Sequence, residues 1–211
     1  HELRSPLSAI QMRSQVLMRK YQDHPQLPED LRQIQHDVKR GTQVLENLLL
    51  LARLDPSNPA DLPKADIDLA DVMFEVLQAL APFIQQKNIQ LTVDVPSSAL
   101  WANSELLFTC LRNLVDNAVR YAQINGRLIV STESDEQHIL WRIEDNGTDM
   151  TDEVLERLGE RFYRALGTQT QGTGLGLSIC KKIIELHQGT IEFSKSALGG
   201  LCVKIYLPKK N

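Results

Sequence analysis

The chain has 211 residues, 42% hydrophobic and 24% charged, enough to bury the core of one large domain or two modest ones and too apolar to stay disordered. Its formal charge of -4 argues against a nucleic-acid-binding surface. No apolar run approaches the roughly 20 residues that span a bilayer, and no signal peptide is legible.

The sequence opens at His1-Glu2-Leu3 without an initiator Met, so a portion of a longer protein is expected. Residues 1–54 predict two amphipathic helices. Leu3, Leu7, Ile10, Ser14, Leu17 and Tyr21 alternate steps of four and three, as do Leu31, Ile34, Val38, Gly41, Leu45, Leu48 and Ala52. Such spacing keeps one stripe facing a partner helix. Asp23-His24-Pro25-Gln26-Leu27-Pro28 breaks the helix between them, giving an antiparallel hairpin. Two helices alone cannot close a core, and Leu48-Leu49-Leu50-Leu51 is wider than one seam needs. Pairing with a second copy into a four-helix bundle would bury the excess; packing against the rest of the same chain is the alternative.

Residues 55–66 hold Pro56, Pro59 and Pro63 among small polar residues and read as a linker. From residue 67 the pattern is mixed. Helices are predicted near 69–86, 104–121 and 175–187, and strands at 89–95, 127–132, 139–144, 190–194 and 201–207. This mixture suggests an α/β sandwich with helices on one sheet face and the other face largely solvated. Cys110, Cys180 and Cys202 lie far apart among apolar neighbours. They fit neither a disulfide framework nor zinc spacing, and buried thiols are expected.

Four segments carry chemistry. Gly172-Thr173-Gly174-Leu175-Gly176-Leu177-Ser178 runs directly into an apolar helix. Alternate glycines let backbone approach a bulky anion, and the helix start offers unpaired N–H groups, which suits a polyphosphate. No Lys-Ser/Thr pair closes a Walker loop, and a dinucleotide fingerprint would need glycine where Leu177 stands. A flexible hinge is the competing reading. In the second segment, Asn113, Asn117 and Arg120 share a helical face, with Tyr121 following. An Asn oxygen suits Mg²⁺, Arg120 phosphate and Tyr121 a purine; a polar surface helix is the alternative.

The third segment is Glu144-Asp145-Asn146-Gly147, where an Asp at a strand end can accept from an adenine amino group, or simply make a turn. The fourth is His1-Glu2-Leu3-Arg4-Ser5-Pro6-Leu7. Neutral imidazole is a nitrogen nucleophile near pH 7, and the adjacent carboxylate can take the released proton; a solvated helix end is the alternative. A zinc protease would need His at the position of Ser5.

Together these segments resemble the H, N, G1 and G2 boxes of sensor histidine kinases, in that family's order. Glu160-Arg161-Phe162-Tyr163-Arg164 resembles its F box, and Gly199-Gly200 a terminal glycine pair. The likeness covers essentially the whole chain, and within the family it is similar to the QseC-like branch in general character. It implies an α+β protein: residues 1–54 as the dimerisation and phosphotransfer hairpin, 55–66 as linker, and 67–211 as a catalytic sandwich of the histidine kinase/gyrase (GHKL) type. It implies ATP and Mg²⁺ as cofactors, a homodimer, and a response-regulator receiver domain as partner. The placement it implies is the cytoplasmic side of a bacterial inner-membrane protein, held to the membrane only by segments outside this sequence.

By the same resemblance His1 is the phosphoacceptor and Glu2 its proton acceptor, while Ser5 stands where the family positions water for dephosphorylating the partner. Asn117 ligates Mg²⁺ beside Asn113. Arg120, Tyr121, Asp145 and Gly147 contact nucleotide, and Gly172, Thr173, Gly174, Leu175, Gly176 and Leu177 hold phosphates. Residues 148–171 would form a mobile lid. The first glycine box normally ends Gly-x-Gly and here reads Gly147-Thr148-Asp149, so an acidic group stands near the expected nucleotide. A non-catalytic nucleotide-sensing module and a gyrase-like ATPase are the competing functions.

Overall fold

The computed structural model describes residues 4–21, 23, 27–54, 63–164 and 173–209. The chain divides into two compact units, 1–52 and 53–211. The first holds α1 (Arg4–Lys20) and α2 (Leu27–Arg53), the helical hairpin expected from the heptad spacing. Pro28 falls in the first turn of α2, where a missing N–H costs nothing. Leu31, Val38, Leu51 and Ser14 are buried. Five other seam residues (Ile10, Leu17, Tyr21, Ile34 and Leu48) keep 40% to 44% exposure in the single chain, so the apolar stripe is only partly covered.

In the second unit come β1 (Ala65–Asp68), α3 (Leu69–Gln86), β2 (Gln90–Asp94), β3 (Ala99–Ala102) and α4 (Ser104–Tyr121). Then follow β4 (Arg127–Ser134), β5 (His138–Asp145), α5 (Asp152–Arg157), α6 (Gly176–Leu186), β6 (Thr190–Lys195) and β7 (Leu201–Pro208). The main sheet has the order β2-β4-β5-β7-β6; β2 and β4 run parallel and the other neighbours antiparallel. Ile139, Trp141, Ile143 and Asp145 of β5 face inward and are buried, while Leu140, Arg142 and Glu144 alternate onto the half-exposed outer face. The one-sided sandwich expected from the sequence is therefore present.

The starts of α3 and α4 are set by side chains. Asp68 accepts from Ala70 N–H at 2.7 Å to cap α3, and Asn103 Oδ1 accepts from Leu106 N–H at 2.9 Å to cap α4. Three short elements were not read from the sequence. β1 and β3 pair only with each other, from Ala65↔Ala102 to Asp68↔Ala99, so residues 65 and 66 of the expected linker are strand. The third, α5, lies within the expected lid. All three cysteines are free and buried.

α4 and α6 pack antiparallel. His187, just past α6, is 6% exposed, and its Nε2 accepts from Asn103 N–H at 3.0 Å at the start of α4. Nδ1 must then carry the proton, which it donates to Ile183 O at 2.8 Å. Further along, Cys180 Sγ lies 3.5 Å from Cys110 O. Burial, aided by nearby Lys64, holds the pKa of His187 below its ordinary value. The unfolded chain takes up a proton near pH 6.5 that the folded chain refuses, so this contribution is present above about pH 6.5 and is lost as pH falls. Urea unfolding between pH 7.5 and 5.5 is expected to show that loss in the wild type and a shallower one in His187→Gln, which keeps a donor and an acceptor. Equal slopes would contradict the role assigned to the imidazole.

Candidate active site

The apolar residues of α4 (Leu106, Leu107, Cys110, Leu111, Leu114, Val115, Ala118 and Val119) turn one side into the core. Asn113, Asp116 and Asn117 are left half-buried on the flank, and Arg120 exposed. Gly176, the first residue of α6, lies beside Asn113: a Cβ added there would be 3.9 Å from the carboxamide oxygen. With the helices antiparallel, one turn from Asn113 to Asn117 advances along α4 toward the Thr173–Gly174 end of the glycine loop. Arg120 Nε pairs with Asp116 Oδ2 at 2.7 Å. An i,i+4 pair of this kind contributes only about 0.3–0.5 kcal/mol.

The described part of the glycine loop is shaped by backbone. Gly174 has φ +70, its carbonyl accepts from Phe162 N–H at 2.9 Å, and a Cβ there would come within 2.7 Å of the Phe162 carbonyl carbon. A side chain at 174 is excluded twice over. Leu175 turns its side chain into the core and its N–H to Thr173 Oγ1 at 3.3 Å. No side chain caps α6, so its first N–H groups, from Gly176 onward, can meet an anion. Leu177 is half-buried, and Ser178 Oγ donates back to Leu175 O at 2.8 Å. Gly172 lies outside the described residues.

At the inward end of β5, Asp145 is 4% exposed. Its Oδ1 accepts from Gly147 N–H at 2.8 Å and from Leu201 N–H at 3.3 Å, while Oδ2 has no partner among the described residues. Burial raises the pKa of the carboxyl and the two N–H donors oppose the rise. Two glycines make room for it. A Cβ at Gly147 would come 2.7 Å from Tyr121 O, and one at Gly200 would collide with Asp145 Oδ1 and Gly147 N. The Gly200–Leu201 contribution went unread because it reaches Asp145 across the β5–β7 pairing; the Gly199-Gly200 pair was its one local signal. Asn146 is structural: its Oδ1 accepts from Arg127 N–H at 2.7 Å. Asp149 is exposed and does not adopt positive φ, so its replacement of a glycine strains nothing.

The expected lid has more structure up to Arg164 than its polarity suggested. Thr151 caps α5, with its Oγ1 accepting from Val154 N–H at 3.4 Å, and Asp152 and Glu153 occupy the first turn. Lys195 pairs with Asp152 at 3.1 Å, and Arg157 stacks 4.1 Å from the Tyr163 ring centre. Residues 165–171, the rest of that segment, lie outside the described residues, as do His1 and Glu2. Ser5 belongs to α1, but its side chain is not described.

Residues 102–211 match the family of histidine kinase-, DNA gyrase B- and HSP90-like ATPases, and residues 1–57 match the His Kinase A phospho-acceptor domain. The sensor protein QseC of Escherichia coli O157:H7 is 36% identical over 208 residues, covering 97% of this chain and 45% of QseC. The chain thus spans about half the length of the curated relatives it matches. Among solved structures, the Acinetobacter baumannii histidine kinase AdeS superposes with TM-score 0.72 at 25% identity, covering 100% of this chain and 98% of that one. ShkA full-length, in complex with AMPPNP, shares the fold with TM-score 0.79 at 19% identity, covering 100% of this chain and 45% of that one. With both domains matched in order and the sandwich built around a buried aspartate and a glycine loop, this chain belongs to the sensor histidine kinase family.

Proposed function

We propose that this chain transfers the γ-phosphoryl group of ATP to His1 and then to an aspartate of a response-regulator receiver domain. The observation that carries the reading is the buried Asp145 carboxylate. Two donors fix Oδ1, while Oδ2 can still accept from an adenine amino group. We assign Asn113, Asn117, Arg120 and Tyr121 to one side of the same site; the Tyr121 carbonyl over Gly147 supports the grouping. The backbone of Gly172, Thr173, Gly174, Leu175, Gly176 and Leu177 holds the phosphates. Their uncapped helix start is suited to polyphosphate, and the AMPPNP held by ShkA on the same fold agrees with it.

The Asn117 oxygen is a hard neutral donor that fits Mg²⁺, with Asn113 a turn away. Magnesium bound there would neutralise charge on the phosphates. A ring nitrogen of His1 forms the N–P bond as the bond from phosphorus to the ADP oxygen breaks, and Glu2 takes the ring proton. Ser5 stands where the family positions water for dephosphorylating the partner, and it would serve that step here. Residues 1–54 serve as the phosphotransfer hairpin, the linker up to residue 64 as the hinge that brings His1 to the nucleotide, and the part from β1 onward as the catalytic part. A second copy covers the half-exposed seam residues as a homodimer. The protein is anchored in a bacterial inner membrane through segments outside this sequence, with this portion in the cytoplasm.

Incubation with γ-labelled ATP is expected to give acid-labile, base-stable label in the wild type and none in His1→Ala. Label that persists in His1→Ala would contradict the assignment, as would ATP hydrolysis alone without label. Asp145→Asn keeps an acceptor for the Gly147 and Leu201 donors but turns an amide donor toward the adenine amino group. Calorimetry is expected to show ATP affinity reduced on the order of 100-fold, about 3 kcal/mol. Because the carboxyl pKa is raised by folding, its ionised form costs stability that returns as pH falls. The melting temperature of Asp145→Asn at neutral pH should therefore be no lower than that of the wild type. Asp149→Gly removes a negative charge near the expected nucleotide and should tighten ATP binding a few-fold, roughly 1 kcal/mol; identical isotherms would make that charge innocuous.

A further inference from the structure

Lys87 follows α3, and its ammonium reaches across to the far end of α4, donating to Arg120 O at 2.6 Å and Ala122 O at 2.9 Å. The last carbonyls of a helix have no partners of their own, and a cation there also meets the negative end of the helix dipole. The two carbonyls flank Tyr121. Backbone around Lys87 extends the grip: Asn125 N–H donates to Lys87 O at 2.9 Å and Gln90 N–H to Gly126 O at 2.8 Å. Asn88 Nδ2 donates to Asn125 Oδ1 at 2.7 Å. On its other side the same segment meets the turn after Asp145, through Arg127 N–H to Asn146 Oδ1 at 2.7 Å and Tyr121 O over Gly147.

We propose that Lys87 is a positioning residue for nucleotide binding, acting through the end of α4 that carries Arg120 and Tyr121. This rests on the assignment of those two residues to the nucleotide site. Lys87 is the side chain of this clasp that holds the carbonyls on both sides of Tyr121. Removing its donors frees the last turn of α4 while leaving Asn113, the Asp145 carboxylate and the glycine loop with all their partners. The loss therefore falls on binding of nucleotide, in ground state and transition state alike, and not on the chemical step.

The test is autophosphorylation and ATP calorimetry on the 211-residue chain carrying Lys87→Met. KM and Kd for ATP are expected to rise about tenfold while kcat at saturating ATP stays within about twofold. In a chain already carrying Arg120→Ala and Tyr121→Ala, adding Lys87→Met should cost less than about twofold more, because it acts through those residues. Lys87→Arg retains donors and should bind ATP within about threefold of the wild type. An unchanged KM in Lys87→Met overturns the inference, as does a further tenfold loss in the double-substituted background or a fall in kcat equal to the rise in KM. Wild-type affinity in the Arg120→Ala/Tyr121→Ala chain would instead remove the site assignment, and the inference with it.

Discussion

Burying a carboxyl group costs free energy unless its oxygens meet donors, and the surroundings of Asp145 supply them. Donors arrive from two directions: Gly147 N–H from the turn that follows, and Leu201 N–H from the neighbouring strand. Gly147 and Gly200 lack the Cβ that would block the approach. Both donors use Oδ1, so among the described residues Oδ2 keeps its accepting capacity. A buried acceptor held this way discriminates strongly, since a ligand without a matching donor leaves it unsatisfied.

The remaining parts of the site take their places from the packing of α4 on α6. Asn103 and His187 tie one end of the pair, Cys110 and Cys180 meet in the middle, and Asn113 meets Gly176 at the glycine loop. The ties recur along both helices from Asn103–His187 to Asn113–Gly176, which fixes their register. That register brings the amide-bearing flank of α4 and the uncapped start of α6 to one place, on the sheet face where β5 presents Asp145. The far end of α4 is held separately, by Lys87 and the 121–127 segment. Rigid scaffolding of this kind lets a site be built from weak contacts without losing its geometry.

The long elements were legible because each carried a local signal. The apolar residues of α3 and α4 repeat at helical spacing, and the strands of the main sheet alternate or run apolar. β1 and β3, four residues each, were not legible, since each exists through its pairing with the other more than thirty residues away. The site divides the same way. Asn113, Asn117, Arg120, Asp145 and the glycines announced themselves by local pattern. Leu201 N–H on Asp145 and Lys87 on Arg120 O span 56 and 33 residues, and no local pattern encodes them. Asp149 shows the opposite: a visible departure from the family pattern that causes no backbone strain.

The central claim is that the Asp145 carboxylate receives the base of a nucleotide whose phosphates rest on the start of α6. A crystal structure of this chain with a non-hydrolysable ATP analogue and magnesium tests it directly. The adenine amino nitrogen is expected about 3 Å from Asp145 Oδ2, with phosphate oxygens on the N–H groups that begin at Gly176. An analogue bound with its amino group away from Asp145, or density absent from that cleft at saturating concentration, would contradict the account.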